Sequence, residues 1–303
     1  DGTDITADAT IYDKTHDFQA VSNPFTPTSD GKYEFYAVAG NAITETIEVT
    51  VLPSIPALPA DTNEASTEFK HRILLVDHTG NTCGYCPKMM LALKEVSESG
   101  DYHSKYYEAM SHSYASSDPA TSASANAISS YYGVTSYPTL TYNFAYSTSS
   151  SYNAEHIKSQ IDAQWKESAD AGIAASASLA TNSVVVNAEV KAAVNNEYRI
   201  TAWLLEDGIV ANQTNGTEEW MNTHNNAIRQ AVKTNPISGM ELGTIKAGEK
   251  ASLAMSLEIS GSKWVRDNLK VMVIASAKNA SGKFEVVNVA MCPANGSVAY
   301  DYK

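Results

Sequence analysis

The sequence predicts a multidomain α+β protein, and three observations lead to that prediction. The chain has 303 residues, which exceeds the usual size of a single hydrophobic core. Near both ends, apolar residues alternate with polar ones, as they do in half-buried strands. In the middle, an apolar run leads into a helical pattern, as it does in a strand–helix unit. We therefore expect a β-rich module at each end and an α/β domain between them.

The first 52 residues are predicted to form a small β module of the immunoglobulin type. Apolar and polar residues alternate between residues 33 and 51, and Ile43 and Ile47 fall on the apolar face. Residues 53–60 follow with three prolines, which exclude helical and central-strand positions. We therefore expect residues 53–60 to be an extended linker.

Residues 61–170 are predicted to form an α/β domain. The run Ile73-Leu74-Leu75-Val76 is apolar on both faces, as a buried parallel strand must be. Met89, Leu93 and Val96 then recur at helical spacing. The patterns that follow predict a strand over 102–110, a helix over 123–132, a strand over 139–144 and a helix over 153–168. Strand and helix therefore alternate through this segment.

Residues 171–303 are predicted to form a C-terminal antiparallel β-sandwich. The apolar period changes to two in three stretches, 184–190, 251–259 and 269–275. Gly and Asn residues lie between these stretches, as expected of turns that connect antiparallel strands. One helix, near Thr223 to Val232, is predicted to interrupt the sandwich.

Composition narrows the classes of function. Asp and Glu outnumber Lys and Arg by 34 to 21, which gives a formal charge of −13. Such a charge repels phosphate backbones and anionic lipid surfaces, so we expect no nucleic-acid partner. No run is long and apolar enough for a transmembrane segment, and Asp1-Gly2-Thr3-Asp4 does not resemble a signal peptide. Together with the high content of Ser, Thr, Asn, Tyr and Ala, this indicates a processed, exported protein.

The motif Cys83-Gly84-Tyr85-Cys86 lies between the predicted buried strand and the helix that follows it. This position places the first sulfur at a helix N-terminus, where backbone N–H groups favour the thiolate. We therefore expect Cys83 to be the nucleophile. One turn later, Cys86 can attack a mixed disulfide on Cys83 and release the reduced partner.

The motif and its surroundings resemble thioredoxin. The resemblance rests on Ile73-Leu74-Leu75-Val76-Asp77, on the Cys-x-x-Cys motif six residues later, and on Val134-Thr135-Ser136-Tyr137-Pro138-Thr139-Leu140. It implies a thioredoxin-like central domain in which Asp77 handles the proton of the second cysteine. It also implies that Pro138 is a cis-proline beside the disulfide. Ser136, Tyr137 and Tyr85 would then bind the substrate.

The wider layout is similar to the Omp28-related outer membrane protein family. The residues that carry this similarity are Asp77-His78-Thr79-Gly80 before the motif, Pro87 after it, Leu205-Glu206-Asp207-Gly208, and His224-Asn225-Asn226-Ala227-Ile228-Arg229. The resemblance implies an exported, outer-membrane-associated protein that is periplasmic or surface-exposed. It further implies a lipid anchor on a cysteine upstream of Asp1.

Other interpretations of the motif remain open. The pair could be a structural disulfide without turnover. A zinc site would need two more ligands, for example His78 or His112, at no recognisable spacing, so we expect no metal. Cys292 is expected to be a small buried side chain without a redox role. Two departures from thioredoxin are Thr82, where tryptophan is usual, and an insertion between Ser111 and Ala123.

The favoured function is thiol–disulfide exchange with protein thiols or disulfides in the cell envelope, without a cofactor. A rival of another class is a cell-envelope binding or structural protein that uses a redox-inert thioredoxin fold as a scaffold. Access to the disulfide distinguishes the two, because exchange requires a partner thiol to reach a sulfur atom.

Overall fold

A computed structural model describes residues 9–27, 30–51, 53–144, 147–261 and 263–303. The chain divides into two compact units. The first comprises residues 1–54 with 180–182, and the second comprises residues 55–179 with 183–303. The fold is β-rich and multidomain, as predicted. Among the described residues, no helix is both long enough and apolar enough to span a membrane.

The described strands of the first unit form one antiparallel sheet of five strands. They are β1 (Thr10–Asp13), β2 (Gln19–Val21), β3 (Gly31–Ala39), β4 (Ala42–Ile43) and β5 (Ile47–Val51). Tyr33 is buried on β3, where its ring contacts those of Phe25 and Phe35. The structure differs from the predicted half-buried face, because the side chains of Ile43 and Ile47 on that face are 69% and 65% exposed. An immunoglobulin-type sandwich would cover that face with a second sheet. The described strands of the first unit all belong to a single sheet.

The second unit contains the three helices and the remaining strands of the described chain. The elements are β6 (Ile73–Thr79), α1 (Cys86–Ser97), β7 (Tyr106–His112), α2 (Ala123–Tyr131), β8 (Thr139–Tyr142), β9 (Ser147–Ser149), α3 (Ala154–Gln164), β10 (Ala171–Leu179), β11 (Ser183–Ala192), β12 (Asn196–Glu206), β13 (Ile209–Val210), β14 (Thr223–His224), β15 (Ala227–Ala231), β16 (Met240–Ile245), β17 (Lys250–Glu258), β18 (Leu269–Lys278), β19 (Phe284–Pro293) and β20 (Ser297–Val298).

Strands from both sides of residue 170 belong to one sheet. Its order is β19-β18-β12-β15-β7-β6-β8-β9, with β16 also paired to β12. The two halves meet where β15 runs parallel to β7, and the Met110 N–H donates to the Asn226 carbonyl at 2.8 Å. The predicted boundary at residue 170 therefore does not separate two sheets. Pairing with β15 covers the backbone groups that β7 would otherwise expose at a sheet edge.

The C-terminal part forms a sandwich, as the alternating pattern predicts. A second sheet, β17-β11-β10-β20, packs its apolar side chains against those of β12, β18 and β19. The predicted helix near residues 223–232 is wrong, because the structure has β14 and β15 there. Ala227–Ala231 pairs with β12 on one edge and β7 on the other. These tertiary contacts override the local preference for a helix.

Candidate active site around the Cys83–Cys86 disulfide

Cys83 and Cys86 form a disulfide with an S–S distance of 2.11 Å and a Cα–Cα distance of 5.4 Å. The loop that carries them connects β6 to α1, and α1 begins at Cys86. The backbone N–H of Cys86 donates to Cys83 Sγ at 3.2 Å. Because this donor would also stabilise a thiolate, the geometry suits Cys83 as the more acidic sulfur.

Both cysteines are buried, with exposed fractions of 2% for Cys83 and 0% for Cys86. Residues 211–216, here called the capping segment, are hydrogen-bonded to the loop that carries the two cysteines. Gln213 Nε2 donates to the carbonyls of Gly80 and Cys83 at 3.3 and 3.1 Å. The backbone N–H of Thr214 donates to the Asn81 carbonyl at 2.7 Å. A partner protein therefore cannot reach either sulfur in this conformation, in which the capping segment is bound to the loop around the motif.

Gly84 brings the capping segment close to the motif. Asn215 Nδ2 donates to the Gly84 carbonyl at 3.2 Å. A Cβ atom added at Gly84 would lie 2.9 Å from Asn215 Nδ2, which is shorter than ordinary van der Waals contact. A residue without a side chain is thus needed if Asn215 is to keep its position.

The capping segment is also held by the rest of its own loop. It lies between β13 and β14, which pair with each other. The Ala211 N–H donates to the Asn222 carbonyl at 2.9 Å, and the Gln213 N–H donates to Asn222 Oδ1 at 2.9 Å. On β14, His224 packs edge-on against His112, with ring centroids 4.9 Å apart. Sequence reasoning missed this segment, because no local pattern shows that residues 130 positions later are hydrogen-bonded to the loop of the motif.

Asp77 lies on the strand beneath α1 and is fully buried. Strand alternation places it on the same face as Leu75, which packs with Met89 of α1. Neither carboxyl oxygen has a hydrogen-bond partner within the described chain. Burial raises the pKa of Asp77 well above its usual value, and the charge of Glu108 raises this pKa further. Burial therefore favours the protonated form of Asp77.

The Tyr137–Pro138 peptide bond is cis, and Pro138 is buried. Thr139, the next residue, pairs with His78 of β6. The Tyr137 hydroxyl donates to the Ser113 carbonyl at 3.3 Å. Ser136, by contrast, is exposed. Residues 136–138 therefore lead into β8, which pairs with β6, the strand that precedes the cysteine motif.

Tyr85, the third predicted substrate-binding residue, is 63% exposed. Its ring lies under Lys88 Nζ, at 5.2 Å from the centroid. A partner that approaches the motif would meet this ring before it met the sulfurs.

The remaining predicted groups have their own partners. His78 is buried between Ser129 Oγ and Thr141 Oγ1, at 2.6 and 3.1 Å, and burial lowers its pKa to about 4. His112 Nδ1 pairs with Asp118 Oδ2 at 2.8 Å. Over the part of the chain that the structure describes, no group of three His, Cys, Asp or Glu side chains could hold a metal ion.

Cys292 lies on β19 and is buried. It packs in the core of the C-terminal sandwich, and burial raises the pKa of its thiol to about 11. This environment disfavours the thiolate that redox exchange requires.

The profile of a known protein family, described as outer membrane protein Omp28, matches residues 125–295. The chain belongs to this family. The match confirms the family predicted from the sequence. It begins in α2, after the cysteine motif, so it covers the C-terminal sandwich and leaves the motif outside.

The fold is similar to that of a solved structure, HBP35 of Porphyromonas gingivalis. The two chains are 16% identical, with a TM-score of 0.61, and the alignment covers 75% of this chain and 76% of the other. At this level of identity the similarity concerns the fold alone. A search of curated proteins found no significant match.

Proposed function

We propose that this Omp28-family protein is an exported, thioredoxin-like thiol–disulfide oxidoreductase of the cell envelope. Its substrates would be protein thiols or disulfides, and it would be periplasmic or surface-exposed and associated with the outer membrane. The observation that supports this proposal best is the placement of the Cys83–Cys86 disulfide at the start of α1, over the strand that carries buried Asp77. A disulfide with only a structural role needs no carboxyl group buried at that cost.

The reaction needs no cofactor. A substrate thiolate attacks Cys83 Sγ, a mixed disulfide forms, and Cys86 leaves as a thiolate that takes up one proton. The second substrate thiolate then attacks the substrate sulfur of the mixed disulfide, which releases the Cys83 thiolate. The substrate dithiol loses two electrons and two protons, and the enzyme disulfide gains them. The same steps in reverse reduce a substrate disulfide.

Asp77 would supply and recover the proton of Cys86. Its raised pKa favours the protonated carboxyl in the oxidised enzyme. Proton transfer to the leaving Cys86 sulfur then lowers the barrier to opening of the disulfide. Asp77→Asn should therefore slow exchange and flatten its pH dependence, while the Cys83–Cys86 disulfide still forms.

Both sulfurs are buried, so the structure must open before exchange can occur, and under this proposal the capping segment, which is hydrogen-bonded to the loop of the motif, is the part that moves. Side chains of Gln213 and Asn215 supply two hydrogen bonds to the motif and a third to Gly80, just before it. Since one hydrogen bond contributes about 1 kcal/mol net, loss of each should raise the open fraction roughly fivefold. Access to Cys83 would then be controlled by this segment.

The burial of both cysteines favours a second candidate function. In this alternative the disulfide is inert, and the protein is a cell-envelope binding or structural protein built on the same scaffold. The hydrogen bonds of the capping segment would then serve stability alone.

One experiment separates the two candidates. The wild-type protein and a Gln213→Ala, Asn215→Ala double variant are reduced, and alkylation of Cys83 and Cys86 is followed by mass spectrometry near neutral pH. Insulin reduction and the redox equilibrium with glutathione are measured in parallel. Gln19→Ala, which removes an exposed amide from the first unit, is the control.

The oxidoreductase proposal predicts preferential labelling of Cys83, insulin reduction, and faster reaction in the double variant than in the control. Cys83→Ser should abolish activity, and Cys86→Ser should trap a mixed disulfide. If the double variant exposes the thiols and still fails to exchange with insulin or glutathione, the inert scaffold is the correct description.

A further inference from the structure

A pocket of 530 Å³ lies beside α1, away from the predicted substrate-binding residues. Met90 and Leu93 line it from α1, and Met110 lines it from β7. Its volume falls within the range of small-molecule sites, which are mostly apolar with a few polar groups. The walls therefore suit the apolar part of a small ligand.

Two charged side chains line this pocket, Glu108 of β7 and Lys94 of α1, and Lys94 Nζ is paired with Glu98. Glu108 Oε1 is buried and has no hydrogen-bond partner among the residues described. The cation whose charge acts on Glu108 is Lys270, but Lys270 Nζ donates to Asp207 Oδ2 at 2.6 Å. A buried carboxyl oxygen without a donor is costly. Glu108 itself is only partly buried, so its second carboxyl oxygen, Oε2, is the atom that an N–H donor of a ligand in the pocket could reach.

Two aromatic side chains, Tyr106 and Trp220, also line the pocket. Trp220 lies on the short 3-10 helix Glu219–Asn222 and is 38% exposed. An exposed indole at the mouth of an apolar pocket offers a π face to a cation. Carboxylate, aromatic rings and methionine side chains together form a set that recognises an ammonium group on an apolar body.

We propose that this pocket binds a small primary amine carried on an aryl or alkyl group. The ammonium group donates to Glu108, and the apolar body packs against Met90, Leu93 and Met110. None of the pocket's lining residues belongs to the cysteine motif, so binding does not depend on disulfide exchange, although the charge of Glu108 also acts on Asp77.

Other charges near the site set the pH at which binding is strongest. Lys94 of α1 also lines the pocket, Asp77 lies on β6 beside β7, and Lys270 acts from β18. Burial raises the pKa of Glu108 to about 7, and Lys270 partly offsets this shift. An ammonium ligand needs the ionised carboxylate, so its affinity should fall as the pH decreases below about 7.

The test uses the full chain and three probes that share one shape. Isothermal titration calorimetry at pH 8 compares 2-phenylethylamine, the neutral 2-phenylethanol and the anionic phenylacetate. We expect the amine to bind at least about tenfold more tightly than the alcohol, as a charged hydrogen-bonded pair requires. Phenylacetate should not bind. Equal binding of amine and alcohol, or no binding of the amine, would overturn the proposal.

Glu108→Gln keeps the shape of the side chain and removes its charge. We expect it to lower the affinity for the amine about tenfold or more and to leave that for the alcohol unchanged. Glu95→Gln, on the exposed side of α1, changes the net charge equally and should leave both affinities unchanged. An equal loss in both variants would mean that the amine responds to the net charge of −13 and not to the pocket.

A second substitution, Trp220→Leu, guards against misfolding at Glu108, because Trp220 is partly exposed. It should weaken amine binding a few-fold, and Trp220→Phe should restore part of it, since phenylalanine keeps an aromatic face. Circular dichroism checks that each variant is folded. Unchanged amine affinity in folded Glu108→Gln and Trp220→Leu would place the amine elsewhere and refute the site.

Discussion

Two buried aspartates of the second unit, Asp61 and Asp77, have opposite surroundings. The Asp61 side chain is 3% exposed and accepts hydrogen bonds from Lys191 Nζ at 3.0 Å, Lys250 Nζ at 2.8 Å and the Tyr302 hydroxyl at 2.7 Å. The Asp77 side chain is fully buried and accepts none from the described residues. The same type of side chain therefore has three hydrogen-bond donors at Asp61 and none among the described residues at Asp77.

The two pKa values move in opposite directions for this reason. Burial alone would raise both, as it does for Asp77. At Asp61, hydrogen bonds from Lys250, Tyr302 and Lys191 outweigh burial and lower the pKa below its usual value. A buried carboxylate with three donors joins distant segments, whereas one without donors costs stability. The comparison indicates that Asp61 stabilises the fold, whereas the unpaired carboxyl of Asp77 is the feature that the proposed function would use.

The largest expected effect comes from breaking the paired site with Lys191→Met. Lys191 Nζ also donates to the carbonyls of Asn63 and Glu64, at 3.3 and 2.8 Å, and to the Tyr302 hydroxyl at 3.0 Å. Methionine fills a similar volume but leaves these acceptors without the ammonium group. We expect a loss of about 3–5 kcal/mol in the free energy of unfolding, measured by urea denaturation.

The control for this substitution is Lys233→Met. Lys233 pairs with Glu258 on the surface, and the two side chains are 70% and 54% exposed. Removing such a pair should change the free energy of unfolding by less than about 1 kcal/mol. If both substitutions lowered the free energy of unfolding equally, the buried cluster around Asp61 would contribute no more to stability than a surface ion pair.

The next largest effect should come from Asp77→Asn and have the opposite sign. The folded pKa of Asp77 is raised, so the folded protein keeps a proton that the unfolded chain releases above about pH 4. The free energy of unfolding of the wild-type protein therefore falls as the pH rises from about 4 towards the raised pKa of folded Asp77. Asparagine does not titrate, so the variant does not have this loss. We expect the variant to gain on the order of 1–3 kcal/mol at pH 8 and little near pH 4.

Urea denaturation at several pH values from 4 to 8 tests this expectation. Asp267→Asn, at an exposed position, is the matched control and should stay within about 0.5 kcal/mol of the wild type. A variant at Asp77 that is less stable than the wild type at pH 8 would show that the carboxylate has a stabilising partner, and the comparison with Asp61 would fail.

Local patterns in the sequence predicted the part of the fold that depends on neighbouring residues. The apolar run at 73–76 became β6, the helical spacing after the motif became α1, and the period-two stretches became β11, β17 and β18. These elements express a periodicity that burial on one or both faces imposes.

Local patterns could not predict the contacts between residues that are far apart in the sequence. The capping segment meets the cysteine motif across 130 residues, and Lys191 meets Asp61 across the same separation. Residues 227–231 form a strand because β7 and β12 lie on either side of them, not because their own sequence excludes a helix. The cysteines were predictable as a motif, but their burial and the hydrogen bonds from residues 213 and 215 to their loop were not.

The smallest effect concerns the outer partner of Asp61, Lys250, whose side chain is 29% exposed. Solvent screens this pair, and Lys250→Met leaves the carboxylate its hydrogen bonds from Lys191 and Tyr302. We expect a loss of about 0.5–1 kcal/mol that shrinks as salt is raised from 0.05 to about 1 M. Urea denaturation at both salt concentrations, with Lys191→Met alongside, makes the measurement. Because the bonds of Lys191 are shielded from solvent, its loss should change little with salt. An equal salt dependence in the two variants would show that water reaches Asp61 from both sides, and Asp61 would then be a surface carboxylate.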